Sequence, residues 1–367
     1  MDLDTSLSSN LIVNLSIIFS QPTGISNYAQ NLFPYLKSLQ PTLLTSQTYP
    51  DFTCYKIPNN LTPAQGSKGH LNRLIWTQFQ LPRIYQQLKS NLLFSPIPEA
   101  PINSKCRHIV TFHDAIPLRF SNNKSPLTYY HRYYVPQILR QAEHIICNSE
   151  ATAKDIHDFY QVPASKITPI LLAHDNQYFQ PLANSKSKQN NPYFLYLGRQ
   201  DPYKNLQRII SAFAALPISN EYQLWFAGSN DKRYTPLLKT QIKELGITER
   251  VKFLNYVSYS ELPKIINQAL ALVFPSLWEG FGFPVLEAMA CGTPVITSNI
   301  SSLPEVAGDA AILVNPYNTD ELTEAMRLIV TDEKLRNSLS SLGIERAKKF
   351  SWQKTGKATV EILSRFM

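Results

Sequence analysis

Long hydrophobic runs are missing from this 367-residue chain. No window reaches the roughly 20 uninterrupted apolar residues of a membrane-spanning helix. The longest N-terminal run, LIVNLSIIF at 11–19, carries Asn14 and Ser16 and follows an acidic Met1–Asp4 start. It lacks the basic flank of a signal peptide, so it reads as a first buried strand of a cytoplasmic protein. Cysteine is scarce as well. Cys54, Cys106, Cys147 and Cys291 are scattered, with no C-x-x-C pair and no histidine at metal-ligand spacing. Buried thiols in a reducing cytosol suit that pattern better than a disulfide framework or a metal site. There is no Arg/Lys stripe interleaved with aromatics, which argues against a nucleic-acid partner. No G-x-G-x-x-G follows a strand, which disfavours a nicotinamide oxidoreductase.

What is present fits two domains of ordinary size. The formal charge is +8, and the excess is shared evenly by residues 1–180 and the remainder. Such a basic surface suits an anionic membrane surface, met peripherally, or phosphorylated ligands; it is equally a solvated face. The first half alternates apolar runs at 11–19, 92–95, 108–112, 144–147 and 168–172 with helical patterns at 25–39, 71–89, 126–142 and 150–160. That alternation predicts a mainly parallel sheet covered by helices. The polar, proline-flanked stretch PLANSKSKQNNP at 181–192 then reads as a linker.

The alternation restarts beyond it. Strands are expected at 193–197, 222–227, 251–254, 270–274, 294–297 and 310–314, and helices at 205–215, 234–245, 260–268, 284–290, 303–307, 319–330 and 332–349. Two α/β domains, 1–180 and 193–350, would leave a cleft at the carboxyl ends of their strands, where open α/β sheets bind ligands.

One corner of the second half stands out: SLWEGFGFPVLEAMACGTPVITS, 276–298. Glu279 and Glu287 sit in a stretch otherwise made of apolar residues, glycine and proline. Pro284 suits the first turn of a helix, where its missing N–H costs nothing. Gly280 and Gly282 clear the approach to the backbone N–H groups of Phe281, Gly282 and Phe283, a ready anion site at a helix start. The bland alternative is that Glu287, in the first helical turn, complements the helix dipole and that Glu279 is a solvated loop carboxylate.

EGFGFPVLE followed by AMACGTPVITSNISSLPEVAGDAAILV resembles the signature of the retaining family 4 glycosyltransferases. YFLYLGRQDPYKNL at 193–206, VKFLNYVSYSELPKII at 251–266, VTFHDAIPL at 110–118 and AEHIICNSEATAKDI at 142–156 extend the resemblance over nearly the whole chain. It implies a GT-B fold, two Rossmann-like domains facing each other across a cleft, with the C-terminal helix 351–367 packed back on the first. It also implies roles. Glu287 would hold the donor ribose, accepting from two vicinal hydroxyls, and Glu279 would hold the transferred sugar. Arg199 and Lys204 would neutralise the diphosphate leaving group, where fixed positive charge is most effective. Loop 254–258 with Tyr256 would meet the base, and His113 would face the sugar, with Asp114 a structural neighbour.

Two departures stand against the family pattern. In QPTGISNY, Gly24 and Ile25 are kept, but Ser26 and Asn27 replace a glycine and an arginine, which puts the contacts of that loop in question. Asn255 replaces a usual glycine; asparagine tolerates a left-handed backbone, so the turn can survive. No D-x-D stands at a strand end, since Asp2-Leu3-Asp4 lies at the terminus. The resemblance therefore implies metal-independent, retaining hexosyl transfer with no cofactor. The donor is a nucleotide diphosphate sugar, GDP-mannose ahead of UDP- or ADP-hexose, because TFHDAIPLRF and SSLPEVAGDAA look most like the mannosyltransferase branch. The acceptor would be a glycan, lipid-linked or saccharide. A GT-B epimerase or phosphorylase and a catalytically silent carbohydrate-binding subunit are the alternatives.

Overall fold

The computed structural model describes residues 10–18, 24–121, 125–182, 191–217 and 221–367. The Met1–Asp4 start, Phe19, the Pro22–Thr23 turn and most of the expected linker fall outside the described residues. Thirteen strands are found among those described: β1 Leu11–Asn14, β2 Thr42–Thr45, β3 Thr53–Lys56, β4 Leu92–Ser95, β5 His108–Phe112, β6 His144–Cys147, β7 Ile167–Pro169, β8 Tyr193–Leu197, β9 Gln223–Ala227, β10 Val251–Asn255, β11 Ala271–Phe274, β12 Val295–Ser298 and β13 Ile312–Val314. They form two all-parallel sheets in the orders β3-β2-β1-β4-β5-β6-β7 and β10-β9-β8-β11-β12-β13. Both are doubly wound α/β sheets. The central strands β1, β4, β5, β6, β11 and β12 are buried along their whole length, as parallel strands covered on both faces must be.

Several boundaries differ from the sequence reading, each for a local reason. β2 and β3 were not anticipated: both are four residues long, and β3 is a half-exposed edge strand with no apolar run. The helix expected over 71–89 begins earlier, at Gly66, and breaks after Phe79 into Leu81–Gln87, which carries Pro82 in its first turn. The helix expected over 25–39 is α-helical only to Leu32 and tightens to a 3₁₀ turn around Pro34.

The chain divides into two units, one of residues through Leu172 plus Trp352–Met367, the other Ala173–Ser351. The division therefore falls at 172/173 rather than at 180. Residues beyond it are tied into the second unit: Leu182 N–H donates to Asn267 Oδ1 at 2.8 Å, Asn267 Nδ2 donates to the Gln180 carbonyl at 3.1 Å, and Tyr178 packs on Tyr259.

The C-terminal helix Trp352–Ser364 belongs to the first unit. Thr355 Oγ1 donates to the Leu171 carbonyl at 2.7 Å. At Gly356 a Cβ would lie 2.4 Å from the Tyr35 Cβ, so only a bare backbone lets the helix approach. Gly356→Ala is expected to destabilise the first unit by about 1–3 kcal/mol, the usual range for overpacking. Calorimetry would read this as a melting temperature lowered by several degrees; an unchanged value would mean that the contact relaxes freely. All four cysteines carry free thiols. Among the described residues no helix is long and apolar enough to cross a membrane.

Candidate active site

In the second sheet the strand order reverses between β8 and β11. The loops that follow these two strands flank the reversal, the position where open α/β sheets hold ligands. One loop carries Arg199 and Lys204, the other Glu279. They are fastened together: Leu277 N–H donates to the Tyr203 carbonyl at 2.7 Å, and Asn205 Nδ2 donates to the carbonyls of Pro275 (3.0 Å) and Pro316 (2.7 Å). Asn205 itself sits at φ +66°, a conformation asparagine enters more readily than most residues.

This fastening brings Lys204 Nζ within 2.6 Å of Glu279 Oε1, across 75 residues of sequence. Both side chains are nearly buried, 12% and 10% exposed. The ammonium also lies 5.2 Å from the ring centroids of Tyr203 and Phe274. Arg199 is placed differently. Its guanidinium is 77% exposed and pairs with Asp201 at 2.9 Å, a surface contact worth little on its own.

Ser302 shapes the Glu279–Gly282 turn. Its hydroxyl lies 3.0 Å from the Glu279 carbonyl and 2.8 Å from that of Phe281. In a trans peptide the next N–H points the opposite way, so the Gly280 and Gly282 amides are turned away from Ser302. The helix Phe283–Ala290 starts there, with Gly282 at φ +111°. Val285 and Leu286 spend their N–H groups on the Gly282 carbonyl. The amides of Phe281, Gly282 and Phe283 have no acceptor among the described residues. The Phe281 side chain is core, packed between Phe283 and Phe350.

Glu287 lies in the second turn of this helix, not the first, so the dipole explanation loses its geometry. Its titration argues the same way. Burial first, then the Asp175 carboxylate, push Glu287 up to about 8, whereas a helix start would lower it. The same carboxyl raises Cys291 to about 12, after burial. A largely buried acid that costs energy to ionise is a functional-site signature rather than a stabilising one.

The strand ends next to β8 converge tightly. Gly198 (φ +143°) and Gly228 (φ +149°) follow β8 and β9; a Cβ on Gly228 would lie 2.0 Å from the Gly198 carbonyl oxygen. Gly228 N–H donates to the Asn255 carbonyl at 2.8 Å, and Asn255 adopts φ +55° beside a bulge in β10. The glycine-like turn thus survives with asparagine. Asn230 Nδ2 donates to Asn255 Oδ1 (2.6 Å), Gln200 Nε2 to Asn230 Oδ1 (3.3 Å), and the Thr235 hydroxyl to Gln200 Oε1. This chain holds the 254–258 loop, whose Tyr256 is 73% exposed.

The other two sequence candidates, Gly24 and His113, lie in the first unit. Gly24 opens the helix Gly24–Leu32, inside which Ser26 is fully buried. His113 follows β5. Its Nε2 lies 2.8 Å from the Pro96 carbonyl, which only accepts, so Nε2 carries the proton and Nδ1 keeps a lone pair. The Tyr28 ring meets it edge-on at 5.0 Å. Burial drives His113 down to about 4, so it is a neutral acceptor at physiological pH. Sequence reasoning did not single out Ser302, Asn205 or the Asn230–Gln200–Thr235 chain; polar residues in loops carry no period that would flag them.

Residues 181–346 match the family model described as Glycosyl transferases group 1, and residues 22–175 the one described as Glycosyltransferase Family 4. The chain is similar to O-antigen chain mannosyltransferase B of Escherichia coli, 29% identical over 69% of each protein. It is also similar to O-antigen chain mannosyltransferase RfbU of Salmonella typhimurium, 27% identical over 90% of this chain and 93% of that one. Among solved structures, a sucrose-phosphate synthase from Thermosynechococcus elongatus has the same fold, with TM-score 0.78 and 18% identity over 97% of this chain and 98% of that one.

Proposed function

Starting from a chain that belongs to the family 4 glycosyltransferases, on their mannosyltransferase branch, we propose that it transfers mannose from GDP-mannose to a glycan acceptor, with retention and without a metal ion. The observation that carries the reading is the Lys204–Glu279 pair held beside free loop amides at the sheet's reversal point.

Lys204 and the amides of Phe281, Gly282 and Phe283 receive the diphosphate, whose charge grows as the glycosidic bond breaks; fixed positive charge there lowers the barrier. Arg199, on its exposed Asp201 tether, swings onto the same group. Glu279 exchanges part of its contact with Lys204 for hydroxyls of the sugar. Glu287 takes the two ribose hydroxyls, and the 254–258 loop with Tyr256 meets the base. With the phosphate taking the acceptor proton, no protein nucleophile is required. The acceptor is carried on a lipid, reached peripherally from the cytoplasmic face.

Three readouts test this. Titration with GDP-, UDP- and ADP-sugars is expected to single out GDP-mannose. Proton NMR of the early product is expected to show the donor's anomeric configuration, and chelator is expected to leave the rate unchanged. Inverted product would remove the retaining mechanism; a chelator-sensitive rate would remove metal independence.

A further inference from the structure

Strands β8, β9 and β10 end side by side in the second sheet. The segments that follow them are joined by a row of side chains that runs in one direction only. It starts at a backbone group: the Asp231 N–H donates to Thr235 Oγ1 at 2.9 Å, and a backbone N–H can only donate. The Thr235 hydroxyl, having accepted there, passes its own proton to Gln200 Oε1. Gln200 Nε2 donates to Asn230 Oδ1 at 3.3 Å, and Asn230 Nδ2 donates to Asn255 Oδ1 at 2.6 Å. The two ends of an amide are told apart by their partners, so each link sets the next.

Thr235 and Gln200, at the start of the row, are buried. Asn230 and Asn255, at its end, are exposed. With Oδ1 engaged, Asn255 keeps an NH2 group that can only donate. That group has no acceptor among the described residues.

The backbone at this position does not ask for the amide. Asn255 adopts φ +55°, where glycine fits without strain and asparagine is one of the few tolerated alternatives. Its carbonyl accepts the Gly228 N–H at 2.8 Å, a bond that any residue would supply. What asparagine adds is the side chain, on the far side of a register shift between Phe253 and Asn255 in β10. Bulges of this kind re-aim side chains. Hydrogen bonds among exposed amides do little for stability, because water serves the same groups nearly as well. The row does fix which atom of Asn255 faces outward.

The geometry points to Asn255 as the residue that selects the donor's base, through an NH2 group held outward by the row behind it. A fixed donor suits a ring carbonyl, O6 of guanine or O4 of uracil. It opposes the exocyclic amine of adenine, which also donates, and a donor facing a donor leaves both unpaired. Donors built on adenine are thereby disfavoured. This rests on the donor-binding reading of the 254–258 loop and adds which bases that loop accepts.

The test measures the affinity of the full chain for GDP, IDP and ADP by calorimetric titration. IDP keeps O6 of guanine and lacks its 2-amino group, so it isolates the carbonyl. GDP and IDP are expected to bind alike, and about tenfold or more tightly than ADP, the scale of one hydrogen bond made against one donor left unpaired. Asn255→Gly keeps the left-handed turn, removes the amide and is expected to erase the preference. Asn255→Asp still accepts from Asn230 but turns the outward atom into an acceptor. It is expected to move the IDP-to-ADP ratio towards ADP by about tenfold, whatever the added charge does to both. Thr235→Val cuts the row at its buried start and is expected to weaken the preference with Asn255 intact. A parent that binds ADP as tightly as IDP, or a folded Asn255→Gly that keeps the full preference, would overturn the inference; sugar transfer persisting in that protein would leave the donor-binding reading standing. Failure of all three nucleotides to bind would overturn both.

Discussion

Lys204→Ala is expected to lower turnover with GDP-mannose by on the order of a hundredfold or more, the scale of one preorganised charge lost from a leaving group. The geometry adds a stability effect that a surface lysine would not have. Lys204 and Glu279 are nearly buried and 2.6 Å apart, and removing one partner of a buried pair typically costs about 3–5 kcal/mol because the other charge is stranded. Partial exposure places this pair at the lower end. Lys204→Met with Glu279→Gln removes both charges together and is expected to recover most of the stability but none of the turnover. Steady-state rates and melting curves on the two variants and the parent separate the two effects. A double variant with near-normal turnover would strip Lys204 of its part in the reaction.

Glu287 is expected to make both stability and donor affinity depend on pH, with opposite signs. Its ordinary value of 4.5 is raised to about 8 in the fold. Between these values the folded state keeps a proton that the unfolded state has released. Stability is therefore full below about pH 4.5 and is lost as pH rises towards 8, by up to about 1.4 kcal/mol per unit. Donor binding runs the other way. Two ribose hydroxyls donating to the carboxylate favour its ionised form, so binding releases a proton and affinity rises with pH until about 8. Over two pH units below that point the gain is roughly tenfold or more.

Glu287→Gln keeps the shape and removes the titration. It is expected to be more stable than the parent at pH 8, to bind GDP-mannose more weakly, and to show a flat pH profile. Calorimetric titration in two buffers of different ionisation enthalpy would detect the released proton directly. A parent profile as flat as that of the variant would dismiss Glu287 from the ribose site.

Much of the sheet architecture was legible because parallel strands are continuous apolar runs: β4, β5, β6 and β8 stand at the residues expected. The edge strand β3 was not, since half its residues face outward. The corner around Glu279 was legible for a different reason. Two acids among glycine, proline and apolar residues have no place in a core, and that alone set the corner apart. The Lys204–Glu279 contact was hidden, because it depends on Asn205 and Tyr203 tying one loop to another 70 residues and more away. The raised titration of Glu287 was hidden too, as it comes from what surrounds it rather than from its neighbours in sequence.

The return of the helix Trp352–Ser364 to the first unit bears on how the protein is made. The chain leaves that unit at Leu172, builds the whole of the other, and only then supplies the segment that packs on Tyr35 and Leu171. On a ribosome the first unit to emerge is thus the last to be finished, held open until its closing helix clears the exit tunnel. Because that helix follows the whole of the second unit in sequence, a chain cut short anywhere in the second unit never presents a complete first unit.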